Sequence, residues 1–269
     1  MCTRIENFSS ELFYMIFDYL CNEDISFAFS GLNLRLNRIV SKMNKPHFSF
    51  TKYSSTKFHN FWINYMPLIK HKVVALEFLG RQIDLKDILF TGFNCLTSLV
   101  LEDINCRQAE YVITENLSKL KRLSIRGLFA DYYQNKNVMI ASLLQLIFHH
   151  LSNLQDLIIL PADNEKLVYD EQTILSTKNR LKTLTIHLHY INNLFSILQY
   201  LPYIEHVNFT FSSYYRMSVF QTMYLIPTLT ILNIHSVMNP CFDLVKYLFK
   251  CCPNLREFTN NGIQMTACN

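Results

Sequence analysis

The sequence predicts an α/β protein in two parts: a small N-terminal unit of three helices, then a solenoid of repeats with parallel strands inside and helices outside. Three observations carry this. An apolar-x-x-apolar-x-apolar triplet recurs at near-constant spacing from residue 71 onward. Between the triplets the apolar period changes from 2 toward 3.6. The first helical segment, Ser9 to Leu20, is far too apolar for the short unit it opens. The expected boundaries are 1–45 for the helical unit, 46–70 for an aromatic connector, and 71–269 for about eight irregular repeats.

At 100° per residue, Met15, Tyr19, Leu12, Ile16, Leu20, Phe13 and Phe17 cover an arc of roughly 200°. A surface helix needs an apolar stripe of only about 100° to dock on one core. Such a helix wants one partner inside its own unit and another outside it; the alternative is burial on both sides within one larger domain. Ser9 or Ser10 can cap it, with Glu11 favourable to the dipole. Asn22, Glu23 and Asp24 break the chain and cap a second helix from Ile25 to Phe29, which Gly31 ends. A third helix, Asn33 to Met43, puts Leu36, Ile39, Val40 and Met43 on one face.

Phe8-Ser9-Ser10-Glu11-Leu12, Ile16-Phe17, Leu20, Asp24-Ile25 and Phe29-Ser30 resemble an F-box over roughly residues 6–44. An F-box is the segment that docks on the Skp adaptor of cullin-based ubiquitin ligases. The resemblance implies that Phe8, Glu11, Leu12, Ile16, Phe17, Leu20, Asp24 and Ile25 meet that adaptor. Two positions depart from the family: Ser9 stands where Pro is usual, and Leu36 near where an aromatic is usual.

In the connector, Phe48, Phe50, Tyr53, Phe58, Phe61 and Trp62 are too aromatic for a free linker and are expected to cap the first repeat. The triplets then run Val73/Leu76/Phe78, Leu96/Leu99/Leu101, Leu120/Leu123/Ile125, Leu154/Leu157/Ile159, Leu181/Leu184/Ile186, Ile204/Val207/Phe209 and Leu229/Leu232/Ile234. Leu255/Phe258 is a worn last copy. Entries such as Leu151-Ser152-Asn153, Leu201-Pro202-Tyr203 and Cys252-Pro253-Asn254 stop a helix and turn the chain into the next strand. Helical patterns fill the gaps over Gln108 to Leu117, Met139 to Leu151, Leu194 to Leu201 and Leu244 to Phe249. This is similar to the leucine-rich repeats commonly paired with an F-box.

Composition excludes several functions. Five glycines and no GxGxxG or GxxxxGKS/T run leave no glycine-rich phosphate cradle. A net charge of +4 without a basic run does not call for nucleic acid. The N-terminus is charged where a signal peptide would be apolar, and no apolar run is long enough to span a membrane. The expected location is therefore cytoplasmic or nuclear. The eight cysteines contain no C-x-x-C pair, and adjacent Cys251 and Cys252 cannot easily put both sulfurs on one ion. Free buried thiols are expected, with no metal and no cofactor.

Catalytic patterns fail too: neither G-x-S-x-G nor H-E-x-x-H is present. His187 and His235 lie on strands two repeats apart, roughly 9 to 10 Å, too far to share a metal. What remains is a surface. Residues between the anchors face the inner side of the sheet, which eight strands would extend to roughly 34 Å. Arg122 and Arg126 are expected to steer a substrate protein there, and Ile158 and Leu160 to anchor it. Thr185, His187, Asn208 and Asn233 continue the face. The expectation is a substrate-recognition adaptor rather than an enzyme, with a Skp-type subunit and, through it, a cullin as partners. The alternative is a stand-alone repeat scaffold whose N-terminal helices merely cap it.

Overall fold

The computed structural model describes residues 5–29, 32–42, 47–81, 85, 88, 90–115, 117–130, 137–163, 165–169, 179–213, 225–236, 242–260 and 263–266. It opens with three short helices, α1 (Ser10–Phe17), α2 (Asn22–Phe29) and α3 (Leu34–Ser41). Ser9 caps α1 by accepting from the Leu12 N–H at 3.3 Å, and Asn33 caps α3 by accepting from the Leu36 N–H at 2.8 Å. Each cap satisfies one of the orphan donors that would otherwise fray such short helices. Phe13, Phe17, Ile25, Phe29, Leu36, Ile39 and Val40 form a core of their own. Leu36, 1 % exposed, fills an interior position with an aliphatic side chain. Gly31 and Met43 lie outside the described residues.

The chain then forms β1 (His47–Ser49), α4 (Ser55–Asn64), α5 (Met66–Ile69) and β2 (Ala75–Leu79). Phe50 lies 5.1 Å from Phe58, 5.4 Å from Phe61 and 5.7 Å from Phe78 of β2, ring centre to ring centre. The connector's aromatics thus continue into the main core rather than into the helical core. Beyond it come β3 (Ser98–Glu102), α6 (Cys106–Thr114), β4 (Arg122–Leu128), β5 (Asn137–Met139), α7 (Ala141–His150), β6 (Asp156–Pro161) and β7 (Lys166–Val168). They are followed by β8 (Thr183–Tyr190), α8 (Asn192–Leu198), β9 (His206–Ser213), β10 (Ile231–Ser236), α9 (Phe242–Cys251), β11 (Glu257–Asn260) and β12 (Ile263–Thr266).

Ten of these strands form one sheet in the order β1-β2-β3-β4-β6-β8-β9-β10-β11-β12, nine of them parallel and β12 antiparallel to β11. Chain order and spatial order coincide; among the described residues, helices return the chain to the edge of the strand just laid down between β1 and β2, β3 and β4, β4 and β6, β8 and β9, and β10 and β11. The apolar triplets set the register: Leu99↔Leu123↔Leu157↔Leu184↔Val207↔Leu232↔Phe258 is one buried row. Helix residues Ala109, Val112 and Ile113 of α6, and Leu143, Leu144 and Ile147 of α7, are buried with them in one continuous cluster. Asn105 caps α6 through a full capping box with Gln108.

Some expectations needed correction. The long gap between Leu120 and Leu154 holds a strand as well as a helix, since β5 pairs with β7 in a separate two-stranded sheet. Met139, expected at the start of a helix, ends β5 and is 50 % exposed. Phe249 is 41 % exposed and meets Phe258 of the main core edge-on at 5.8 Å.

Candidate functional site

Two surfaces are available. The first is the outside of the helical unit. Phe13 and Phe17 of α1 point inward, while Leu12, Met15, Tyr19 and Leu20 are 37 %, 61 %, 89 % and 39 % exposed. The helix is thus apolar on its wet side too. Of the residues expected to meet an adaptor, Leu12, Leu20, Glu11 and Asp24 are exposed, and Phe8 and Ile16 are half-buried. Phe17 and Ile25 are buried in the unit's own core, which removes both from direct contact with a partner.

Local chemistry holds this surface in shape. Arg35 of α3 donates to the Phe8 carbonyl and lies 6.0 Å over the Phe13 ring, pinning the segment before α1. Glu11 has a carboxyl held below its usual range by its own backbone N–H, with further help from the Ser9 hydroxyl and Arg35. Asp24 is not free: it accepts from the Cys21 thiol at 3.0 Å and lies 3.9 Å from the Lys57 ammonium. Asn22 donates to the His47 carbonyl at 2.8 Å, and Phe27 meets Tyr65 at 5.8 Å. These contacts attach the helical unit to β1 and α4.

The second surface is the half-buried face of the sheet. Its middle row runs Glu77↔Val100↔Ser124↔Ile158↔Thr185↔Asn208↔Asn233↔Thr259. At its far end Asn233 donates to Asn208 at 2.7 Å, and Asn208 donates to Thr185 at 3.2 Å. Ile158 adjoins this ladder and is half-buried; Leu160, also half-buried, lies past the last position at which β6 pairs with β8. The alternative to their role as anchors, that the insert around Asp131 to Asn137 covers both, falls on residues 131–136, which lie outside the described residues.

The two arginines expected to steer are not bare charges. Arg122 Nε donates to Asp156 at 2.9 Å. Arg126 reaches Glu102 at 3.4 Å and donates to the Ser124 hydroxyl at 3.1 Å. With the Arg126 Nε donating to its hydroxyl, Ser124, on the wet face by register, is only 7 % exposed. Cross-strand pairing of this kind depends on register, so neither arginine's charge was separable from its neighbour's in the sequence.

The structure adds a further cation to this face. Lys121 immediately precedes β4, in a column where each residue donates its N–H to the carbonyl of the one before: Thr97, Lys121, Gln155, Lys182, Glu205, Thr230, Arg256. Lys182 and Glu205 of this column are ion-paired at 2.8 Å. The signal was present as the position directly after each Leu or Ile anchor. Lys121, Arg122 and Arg126 border a hollow of about 640 Å³ that extends to His47 and Glu77.

His187 and His235 stand two strands apart with Thr210 between them. Burial pushes the His187 imidazole below its usual pKa; burial, then Lys166 and His187, do the same for His189. Burial pushes the Cys251 thiol up and the Cys252 thiol up to about 12, so neither offers a thiolate at neutral pH. Cys2, Cys241 and Cys268 lie outside the described residues. Among the described residues no group of three His, Cys, Asp or Glu could hold a metal, and no helix is long and apolar enough to cross a membrane. No protein-family model matches the chain, and no curated protein matches it in sequence.

Proposed function

We propose that this protein is a substrate-recognition adaptor of a Skp-cullin-F-box ubiquitin ligase. The helical unit is an F-box that docks on the Skp-type subunit, and the sheet is the inner wall of a leucine-rich-repeat solenoid that holds a substrate protein. The chain itself performs no chemistry; it supplies proximity and orientation. The observation that carries the reading is α1, which fills its own small core with Phe13 and Phe17 and still presents Leu12 and Met15 outward, with Tyr19 and Leu20 exposed in the turn that follows it. Burying one such side chain at an interface contributes about 1.5–3 kcal/mol, which makes a second apolar face costly to keep without a partner. The coincidence of strand order with chain order supports the solenoid.

The test is co-purification of the full chain with a Skp-type subunit. Leu12→Asp with Met15→Asp should abolish capture while circular dichroism stays unchanged, since neither side chain belongs to the helical core. Undiminished capture by that double variant would sink the F-box assignment. A second reading has its own observations: the links from Asn22 to His47, Phe27 to Tyr65 and Asp24 to Lys57 suit helices that cap a stand-alone repeat scaffold. Under it the chain captures no Skp-type subunit at all, yet the sheet still binds its partner.

A further inference from the structure

Over the first four strands the half-buried face dips into the hollow of about 640 Å³, and its charges are sorted by wall. Ala75, Ser98 and Val100 form an uncharged floor. Glu77 on β2 stands on one side, with His47 of β1 beyond it, and Lys121 just before β4 stands with Arg122 and Arg126 of β4 on the other. Strands β2 and β4 are separated by β3 alone, so their backbones lie about 10 Å apart. The hollow therefore has one carboxylate on its β2 side and three cations on its β4 side, set diagonally across an uncharged floor.

The positive wall retains donors for a ligand. Arg122 spends only its Nε on Asp156, and its side chain is 73 % exposed, leaving the two terminal nitrogens to meet an incoming anion. A guanidinium fork of this kind matches a planar carboxylate. Lys121 has no carboxylate within ion-pair distance among the described residues, so its charge is uncompensated. Arg126 is held in place by Glu102 and Ser124 and closes the far end of the wall. Glu77, with Glu102 and Asp156 paired to the two arginines, works against a ligand whose negative charge is continuous. Duplex DNA, with one charge per about 1.7 Å of axis, would put phosphates on both walls.

We propose that this hollow takes an extended protein segment in which an acidic side chain and a basic one are spaced three residues apart. The acidic side chain rests against Lys121 and Arg122, the backbone crosses over Ser98 and Val100, and the basic side chain meets Glu77. A chain in the polyproline II conformation brings residues three apart to the same side, displaced by about 9 Å. Glu77 is in register with Ser124, two residues along β4 from Arg122, so the backbones of Glu77 and Arg122 stand about 12 Å apart, a gap that the long Glu and Lys side chains of the segment close. The inference rests on the sheet face being the capture surface and names the class of segment it captures.

The experiment is fluorescence anisotropy of the full chain with fluorescein-labelled peptides of Gly and Ser carrying one Glu-Ala-Ala-Lys, one Glu-Ala-Ala-Glu or one Gln-Ala-Ala-Gln unit. The Glu-Ala-Ala-Lys peptide should bind tightest, and added salt should weaken it. Lys121→Glu should weaken that binding at least about tenfold, since it removes an attraction and adds a repulsion. Glu77→Lys should reverse the preference in favour of the Glu-Ala-Ala-Glu peptide. Arg256→Glu, at the other end of the same column, should change nothing. Equal binding of the three peptides, no binding, or indifference to both Lys121→Glu and Glu77→Lys would overturn the proposal. Co-purification of the same variants with a Skp-type subunit separates the two readings: peptide binding without that subunit leaves the hollow and removes the ligase, and the converse does the reverse.

Discussion

Replacing Phe13 by Ala should unfold the helical unit and leave the sheet intact. Phe13 is fully buried, with its ring 6.3 Å from Phe8, 6.1 Å from Phe17 and 5.8 Å from Phe29. Truncating a buried Phe to Ala costs about 3–5 kcal/mol through lost transfer energy and the cavity left behind. A core as small as this one rarely supplies more than about 3–5 kcal/mol in total. The loss therefore matches the whole stability of the unit. None of the three partner rings belongs to the main cluster, which runs from Phe48 to Phe258. Hydrogen–deuterium exchange read by mass spectrometry would follow both parts at once. Amides of α1, α2 and α3 should exchange freely in Phe13→Ala, while those of β4, β6, β8 and β9 keep their protection. Tyr19→Ser, at a side chain 89 % exposed, should stay within about 0.5 kcal/mol of the parent. Retained protection in α1 to α3 would refute the magnitude; lost protection in the central strands would refute the separation of the two cores.

Other outcomes are as direct. His187 and His189 have lowered pKa values when folded, so the unfolded chain binds protons more readily below the ordinary His pKa of about 6.5. Stability should be level above that pH and fall below it, and His187→Gln should flatten the fall in melting temperature between pH 7.5 and 5.5; a flat parent profile would refute the assignment. Site-resolved labelling with a thiol reagent at pH 8 should modify exposed Cys95 promptly and Cys251 and Cys252 only on unfolding. Gly127 has φ +65°, and an added Cβ would fall on the Asp103 carboxylate, so Gly127→Ala should destabilise by at least about 1–2 kcal/mol in urea titrations. Metal analysis of the purified chain should find no stoichiometric zinc, and a strong chelator should leave its melting temperature unchanged.

The sheet was legible because its anchors are periodic and apolar, so Leu99, Leu123, Leu157 and Leu184 announce both their burial and their alignment. The same periodicity delivered the wet face as residues in between. It could not deliver what those residues do to one another. Arg122 meets Asp156 and Arg126 meets Glu102 across strand pairs 34 and 24 residues apart in sequence. Only the register brings them together. In α1 the arc of apolar residues was readable, but which half faces inward depends on where α2 and α3 lie. That placement turned Phe17 and Ile25 from contact residues into core residues. β1, β5 and β7 are three residues each, too short for alternation to register as a pattern.

Because spatial order follows chain order across the sheet, the molecule suits the way it is made. A ribosome adds about 5–20 residues each second, so a strand some 25 residues after its neighbour emerges a few seconds after it. By then the neighbour is already outside the exit tunnel, with an unpaired edge and nothing else to pair with. Assembly can advance by one strand at a time, each addition covering the edge of the last. A chain halted partway would carry a growing edge rather than a tangle, and an extra unit inserted during evolution would lengthen the sheet without rewiring it.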